Sequence, residues 1–203
     1  GPLLRELPES TGLLGSEATT ALLALRLEVD TVEQYDEVVP AGTVISWSVP
    51  GDPTLTAGAE VEPATPVELV VSLGPAPRVV PNLVGRPLAE ARAELESMQL
   101  TLTEGDQVFS DEIPLGSIVA QNIAEGTEVA RGSAVAVAIS RGPDLVTYPD
   151  ISAAASFEEA AAILREAGFE PVLEFGDAQG AVQQVRIDGD EPVVGNSYRR
   201  GAV

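Results

Sequence analysis

Apolar side chains near the middle of the chain recur with the period of a helix. Leu88, Ala91 and Leu95 are spaced by three and four residues, so they share one helical face. Pro87 suits the first turn of a helix, where its missing N–H would have no intrahelical acceptor. The pattern predicts a helix over residues 87–99.

Branched and apolar residues after this helix predict three short strands. The first two cover residues 100–103 and 117–121, and the third covers 135–140, with branched side chains at alternate positions. Residues 109–116 form the connection between the first two strands, and Arg131 begins a turn before the third. The predicted order of one helix and three strands is a small α+β unit.

One loop-and-strand phrase occurs twice in the chain and is echoed a third time. Residues 39–46 read Val-Pro-Ala-Gly-Thr-Val-Ile-Ser, and residues 113–120 read Ile-Pro-Leu-Gly-Ser-Ile-Val-Ala. A copy without the proline lies at 180–183. The glycines of the three copies are 74 and then 64 residues apart, which is a domain-sized period. Tandem modules of this size favour binding or spacing over a single active site.

The first module repeats the plan of the middle one. Ala18 and Leu22 stand where Ala91 and Leu95 stand. The closing strands of the two modules are offset by 68 residues, whereas the loop phrases are offset by 74. The first module therefore contains six extra residues, which we place at the turn over residues 50–53.

The third module begins its helix with a capping signal. Ser156 can cap the first turn, Glu159 can reach back to it, and Gly168 suits the end of the helix. By alignment, Val203 stands where the closing strand should begin, so we expect this module to be truncated here or to continue in further residues. Gly1-Pro2 is interpreted as a remnant of tag cleavage, with native sequence as the alternative.

The repeats define three predicted modules over residues 1–77, 78–143 and 144–203. The joints at 74–77 and 142–144 contain proline, which fixes its own backbone angle and restricts its neighbour. Such links behave as semi-rigid spacers. We therefore predict an α+β fold of tandem small modules, each with one helix packed on a three-stranded sheet, arranged as an extended rod.

Composition excludes several classes of chemistry. The 203 residues include no Cys and no His, which excludes disulfides, thiolate or imidazole metal sites and a Ser-His-Asp triad. The formal net charge of −21 would repel a phosphate backbone, so no nucleic-acid partner is expected. No run of 18 apolar residues is present, so no membrane insertion by this segment is expected. We expect no cofactor, no metal and no catalytic residues.

The order of features in the middle module resembles a PASTA domain. The resemblance rests on the Val-Pro-Asn-Leu-Val-Gly opening at 80–85, the helix over 87–99 and the Pro-x-Gly phrase within 113–120. It also includes the Gly-Thr-Glu-Val turn at 126–129 and the Ser-Arg-Gly-Pro ending at 140–143. This repeat is found outside the membrane on bacterial serine/threonine kinases and on some penicillin-binding proteins.

The resemblance covers nearly the whole chain with unequal strength. It is strong over residues 78–143, good over 5–77 and degenerate over 144–203. In the last of these, Tyr148 replaces the opening valine and Ala153 replaces the glycine.

The resemblance implies a function outside the cytoplasm. The segment would belong to a single-pass membrane protein with a kinase domain elsewhere, and it would bind peptidoglycan muropeptides or lipid-linked cell-wall precursor. Binding would regulate the kinase, with self-association of the parent receptor. Two alternatives stay open: a structural spacer array that positions a receptor in the wall, and the PASTA tail of a penicillin-binding protein.

Three arginines near module ends are the candidate ligand-binding residues. Arg86, Arg131 and Arg141 could pair with carboxylates of a muropeptide stem, because the planar guanidinium binds a carboxylate through two hydrogen bonds. The alternative is that each is a solubilising residue in a turn.

Two aromatic residues have alternative interpretations. Trp47 shares the parity of Ile45 and Val49 on a predicted strand, which favours a core or edge position over stacking on a sugar. Tyr148 could pack across the joint between modules or serve as a ligand platform.

Overall fold

The computed structural model describes residues 3–203, and the Gly1-Pro2 pair interpreted as a tag remnant lies outside the described residues. The described chain forms two compact units. The first runs through Pro81 and includes Leu95–Thr101 and Ala124–Ala134. The second consists of Asn82–Glu94, Leu102–Ile123 and Val135–Val203.

Short elements make up both units, and the order along the chain is mixed α and β. The helices are α1 Gly15–Ala24, α2 Leu88–Ser97 and α3 Phe157–Ala167. The strands are β1 Arg5–Glu6, β2 Glu28–Gln34, β3 Val44–Ser48, β4 Glu60–Val61, β5 Pro66–Ser72, β6 Arg78–Val79, β7 Thr101–Val108, β8 Ile118–Gln121, β9 Glu128–Val129, β10 Ala134–Ser140, β11 Leu145–Thr147 and β12 Ser197–Arg199.

The core of the first unit is organised around one central strand. Strand β5 lies between β2, to which it is parallel, and β3, to which it is antiparallel. Its alternate residues Val67, Leu69 and Val71 are buried, as period-two alternation requires. Helix α1 packs Ala18 and Leu22 into the same core. The predicted helix-on-sheet arrangement is confirmed here.

A second three-stranded sheet has the same strand order, with β10 between β7 and β8. Strand β10 buries Val135, Val137 and Ile139. Strand β7 reaches Val108, so the predicted strand over 100–103 was too short. It was underestimated because most of its later side chains are polar and exposed, as an edge strand allows.

Two further sheets were missing from the sequence prediction. Strands β1 and β4 pair in one of them, and β6 and β9 pair in the other. Each strand contains only two residues, which is too short to leave a period in the sequence. These small sheets hold the opening of a module against the turn that precedes its closing strand.

The glycine of the repeated phrase makes the same contact in all three copies. Its carbonyl oxygen accepts a hydrogen bond from the N–H of the first helical residue. The donor–acceptor pairs are Gly15–Gly42 at 2.8 Å, Leu88–Gly116 at 3.1 Å and Phe157–Gly180 at 3.0 Å. The copy without proline therefore keeps the same backbone contact as the other two.

The six extra residues of the first module lie where the turn was predicted. Gly58 and Gly126 are equivalent, since each donates its N–H to the carbonyl of the opening residue of its module. Gly42 of the repeated phrase precedes Gly58 by 16 residues, whereas Gly116 precedes Gly126 by 10. The difference is accommodated in residues 49–57, where the N–H of Asp52 donates to Val49 O at 3.1 Å.

Both predicted ends of helix α3 are confirmed. The N–H of Glu159 donates to Ser156 Oγ at 3.3 Å, and the Glu159 carboxylate accepts from the N–H of Ala155 at 2.7 Å. Gly168 ends the helix in the left-handed region with φ of 99°. A side chain there would be strained and would also meet Arg200, whose guanidinium nitrogen lies 2.8 Å from the position of a Cβ.

Residues 144–203 lack the predicted three-stranded sheet. They contain α3 and the two-stranded sheet of β11 and β12, and residues 180–183 are not a strand. In the two three-stranded sheets, the closing strand is central and pairs with both neighbours. No segment within 144–203 supplies an equivalent, so the flanking segments have no strand to pair with.

We predict that Ser72→Ala destabilises the first unit by about 1–3 kcal/mol. The buried hydroxyl of Ser72 donates to Val39 O at 2.7 Å and accepts from the N–H of Gly74 at 2.9 Å. Its removal leaves the part-buried carbonyl of Val39 and the buried N–H of Gly74 without this partner. Urea unfolding followed through the fluorescence of Trp47 measures the change in free energy.

Ser46→Ala is the matched control, because Ser46 lies exposed on strand β3 of the same sheet. It should change the free energy of unfolding by less than about 0.5 kcal/mol. Equal losses for the two variants would contradict the assigned role of the Ser72 hydroxyl.

Candidate functional site

Arg141 lies over an aromatic ring at one edge of the second sheet. Phe109 directly follows β7 and Arg141 directly follows β10, which are neighbouring strands, so the two side chains emerge side by side. The guanidinium carbon is 4.4 Å from the centroid of the Phe109 ring, within the range of a cation–π contact. Both side chains are exposed. Among the ion pairs of the described residues, none involves Arg141.

Arg86 is paired within its own module. Its guanidinium donates to the carboxylate of Glu94 on helix α2. Both side chains are about one-third exposed, at 37% and 33%. An external carboxylate at Arg86 would therefore compete with an internal one.

Arg131 is also paired. Its Nη1 donates to the backbone carbonyl of Glu37 at 2.9 Å and to the Glu37 carboxylate at 3.1 Å. The three predicted arginines thus have three different partners: Glu94 for Arg86, Glu37 for Arg131 and the Phe109 ring for Arg141.

A fourth arginine, Arg78, was not among the predicted site residues. It is the most enclosed cation of the described ion pairs, with 19% of its side chain exposed. It donates to four acceptors. These are Met98 O at 3.1 Å, Ala76 O at 2.6 Å, Glu37 Oε2 at 2.9 Å and Gln99 Oε1 at 2.6 Å.

The sequence did contain a signal for Arg78. Arg5 stands at the same place, two residues before the opening proline-bearing phrase of the first module, and its Nε donates to Leu25 O at 3.0 Å. This matches the bond from Arg78 Nε to Met98 O. The recurrence of an arginine at this position could have pointed to a cap for the carboxyl end of the helix.

The arginines beside Glu37 change the pKa of its carboxyl. The hydrogen bond from Arg78 holds the pKa of the Glu37 carboxyl below its usual value, and the positive charges of Arg78 and Arg131 act in the same direction. The two arginines therefore favour the ionised form of Glu37.

Trp47 is half-buried at the edge of the first core, which fits the core or edge interpretation. Its indole N–H donates to Glu9 Oε1 at 2.9 Å. The same oxygen accepts the N–H groups of Ser10 at 3.0 Å and Thr11 at 2.9 Å. The hydrogen bonds from Thr11, Trp47 and Ser10 lower the pKa of Glu9 to about 2.

Tyr148 is a core residue, with 4% of its surface exposed. It packs edge-on against Phe169 at 5.8 Å and Tyr198 at 6.1 Å between ring centroids. Burial raises the pKa of its phenol. The ligand-platform interpretation is therefore wrong, and the ring contacts lie within its own module rather than across a joint.

Neither a cluster of metal ligands nor a membrane-spanning helix is present within residues 3–203. No group of three or more acidic side chains is placed to hold a metal ion in this part of the chain. No helix among these residues is both long enough and apolar enough to cross a membrane.

The family model of the PASTA domain matches residues 78–141. This stretch is a PASTA domain. The match includes β6, α2 and β7 to β10, and it contains Arg78, Arg86, Phe109 and Arg131, with Arg141 as its last residue.

The chain is also similar to proteins that extend beyond this one domain. A probable serine/threonine-protein kinase of Clostridium perfringens is 32% identical over 168 residues, which cover 80% of this chain and 23% of that protein. The probable kinase PknB of Corynebacterium glutamicum is 29% identical over 195 residues, which cover 94% of this chain and 29% of that protein. The crystal structure of the three-PASTA-domain of a Staphylococcus aureus Ser/Thr kinase has a TM-score of 0.57 and 28% identity, and the match covers 81% of this chain and 80% of that one.

These similarities assign the chain to the PASTA region rather than to the kinase domain. The chain is homologous to the extracellular PASTA regions of bacterial serine/threonine kinases, which are non-catalytic segments. It spans about a quarter of the length of the first curated relatives that it matches.

We predict that the emission of Trp47 titrates with a midpoint near pH 2, the pKa of Glu9, rather than near the usual 4.5. Because the folded-state pKa is lowered, the hydrogen bonds to Glu9 stabilise the fold above pH 4.5, and this contribution is lost as the pH falls toward 2. A fluorescence titration between pH 6 and about 1.5 measures the midpoint.

Glu9→Gln should remove this transition, whereas Glu17→Gln, an exposed acid on α1, should retain it. A midpoint near 4.5 in the unmodified chain would show that Glu9 does not bind Trp47 in solution.

Proposed function

We propose that this chain is a cell-wall-sensing segment of a single-pass membrane serine/threonine kinase, and that it binds peptidoglycan fragments or their lipid-linked precursor. The kinase relatives support this assignment, and PASTA regions of such kinases are extracellular. Because the relatives reported above are kinases, they favour this assignment over the tail of a penicillin-binding protein. Binding outside the membrane would regulate the kinase domain.

The observation that carries the proposal is the pairing of Arg141 with Phe109. A muropeptide combines sugar rings, which present apolar C–H faces, with free carboxylates in its peptide stem. An exposed aromatic ring can pack against a sugar face, and a guanidinium beside it can bind a carboxylate through two hydrogen bonds. Arg141 and Phe109 offer both groups within 4.4 Å.

The net negative charge of the chain limits where an anionic ligand can bind. Eleven basic residues stand against 32 acidic ones, so most of the surface repels an anionic ligand. Arg86 and Arg131 already contact internal carboxylates. Arg141 has no such partner among the described ion pairs, so its charge is open to an external carboxylate. Arg86 and Arg131 remain candidates for ligands that displace their partners.

A second candidate function, a structural spacer, is favoured by ion pairs that join consecutive predicted modules. Arg199 contacts Asp111 at 2.6 Å, and both lie in the second unit. Glu37 of the first predicted module contacts Arg78 of the second at 2.9 Å, and both lie in the first unit. Such pairs resist reorientation of one module against the next, which a spacer needs and a flexible tether does not.

We predict that a defined muropeptide with a free stem carboxylate shifts the amide NMR signals around Phe109 and Arg141 in a saturable manner. Arg141→Ala and Phe109→Ala should each weaken binding at least about tenfold, because one removes the charge and the other the ring. A titration of the isotope-labelled chain measures both affinities.

Arg165→Ala is the matched control, since Arg165 is an exposed arginine of the second unit that takes part in none of the described ion pairs. It should leave the affinity unchanged. The absence of saturable shifts at millimolar ligand would overturn direct sensing by this site and leave the spacer as the working function.

A further inference from the structure

The carboxylate of Glu37 contacts two arginines of the PASTA domain. It lies in the loop after β2, three residues beyond the end of the strand. Its Oε2 accepts from Arg78 at 2.9 Å and from Arg131 at 3.1 Å. All three residues belong to the first unit. One carboxylate of the first predicted module therefore contacts two cations of the second.

Arg78 does not need Glu37 to keep its position. Three other acceptors, Met98 O, Ala76 O and Gln99 Oε1, hold its guanidinium. Only one-fifth of the side chain is exposed, at 19%. A guanidinium fixed in this way would still be positioned to bind an anion if the Glu37 carboxylate moved away.

Glu37 itself is placed so that it can be exchanged. Its side chain is 48% exposed. The loop around it is held separately, because the Asp36 carboxylate accepts the N–H groups of Val38 at 2.8 Å and Val39 at 2.7 Å. The carboxylate could therefore leave the arginines by rotation of its side chain, without unfolding of the loop.

We propose that Arg78 and Arg131 form a carboxylate-binding site that the chain fills with its own Glu37, and that a carboxylate ligand binds there by displacing Glu37. The ligand class is a small molecule or peptide with a free terminal carboxylate. This site is separate from Arg141 and does not rest on the function proposed above.

The second predicted joint differs from the first in the cations around its acidic side chain. Asp111 stands at the position of Glu37 in the next module and contacts Arg199 at 2.6 Å. That pair is more exposed, at 66% for Arg199 and 51% for Asp111. Val146 occupies the position equivalent to Arg78. Arg78 pairs with Val129 in its two-stranded sheet, and Val146 pairs with Tyr198 at the equivalent place in its own two-stranded sheet. A second cation is therefore missing from the Asp111 pair.

Displacement has a consequence for the link between the modules. Glu37 is the residue through which the loop after β2 contacts Arg78 and Arg131. A ligand that takes its place removes two ion pairs between segments far apart in sequence. Occupancy of the site would thus be coupled to the contact between the two predicted modules.

Competition of this kind is energetically feasible. A partly exposed ion pair contributes little to stability, so the internal carboxylate is a weak ligand held at high effective concentration. An external carboxylate that gains any additional contact can displace it. Without Glu37, even a simple carboxylate should bind.

The test uses acetyl-alanyl-alanine with a free terminal carboxylate, titrated into the full chain while the Nε–Hε NMR signals of its arginines are followed. Glu37→Gln should bind the dipeptide about fivefold more tightly than the unmodified chain, because it removes two competing ion pairs that each contribute little. The responding signals should belong to Arg78 and Arg131.

Glu33→Gln is the matched control, because it removes the same charge from an exposed position at the end of β2. It should leave the affinity unchanged, and Glu37→Gln combined with Arg131→Ala should abolish binding. The dipeptide amide, which lacks the carboxylate, should not bind. Arg141→Ala should leave this response intact, which separates the outcome from that of the muropeptide titration.

Two results would overturn the proposal. Equal affinities of the Glu37→Gln and Glu33→Gln chains would show that Glu37 does not compete for the site. Equal binding of the dipeptide and its amide would show that the ligand is not recognised through its carboxylate.

Discussion

The fold depends on the pairing of one closing strand with neighbours on both sides. Strands β5 and β10 are central in their sheets and bury alternate side chains. Each ends in a buried serine, Ser72 or Ser140, whose hydroxyl donates to a carbonyl of the repeated loop at 2.7 Å or 2.6 Å. The central strand therefore holds both the core and the repeated loop in position. It also fixes where the exposed residues that directly follow the strands lie. Phe109 and Arg141 meet because their strands are neighbours.

Charge determines which of these exposed residues is open to a ligand. In a chain with a formal charge of −21, an arginine has many carboxylates within reach, and most of the candidate arginines have acquired one. An internal partner lowers the affinity for an external anion, because the ligand must first displace it. Arg141 contacts an aromatic ring instead, which leaves its full charge available. Arg131, by contrast, is available only when Glu37 moves.

The features that the sequence predicted well are local ones. Helix α2 and the capped helix α3 follow from period and from neighbouring residues such as Ser156 and Glu159, which meet within one turn. The partners of the arginines could not be predicted in this way. Arg131 and Glu37 are 94 residues apart, and nothing in their separate surroundings indicates that they meet. The ring contacts of Tyr148 could not be predicted for the same reason, because they depend on the distant Tyr198.

A single position accounts for the difference between the two joints. Where the second module has Arg78, the third has Val146, which is buried beside Tyr148. The arginine uses three other acceptors, two of them in its own predicted module, and still presents a charge to Glu37. The valine presents no charge, so Asp111 contacts only the exposed Arg199, a pair that dissolved salt screens readily. Because Arg78 is much less exposed than Arg199, at 19% against 66%, dissolved salt screens its pair with Glu37 less than it screens the pair of Asp111 with Arg199.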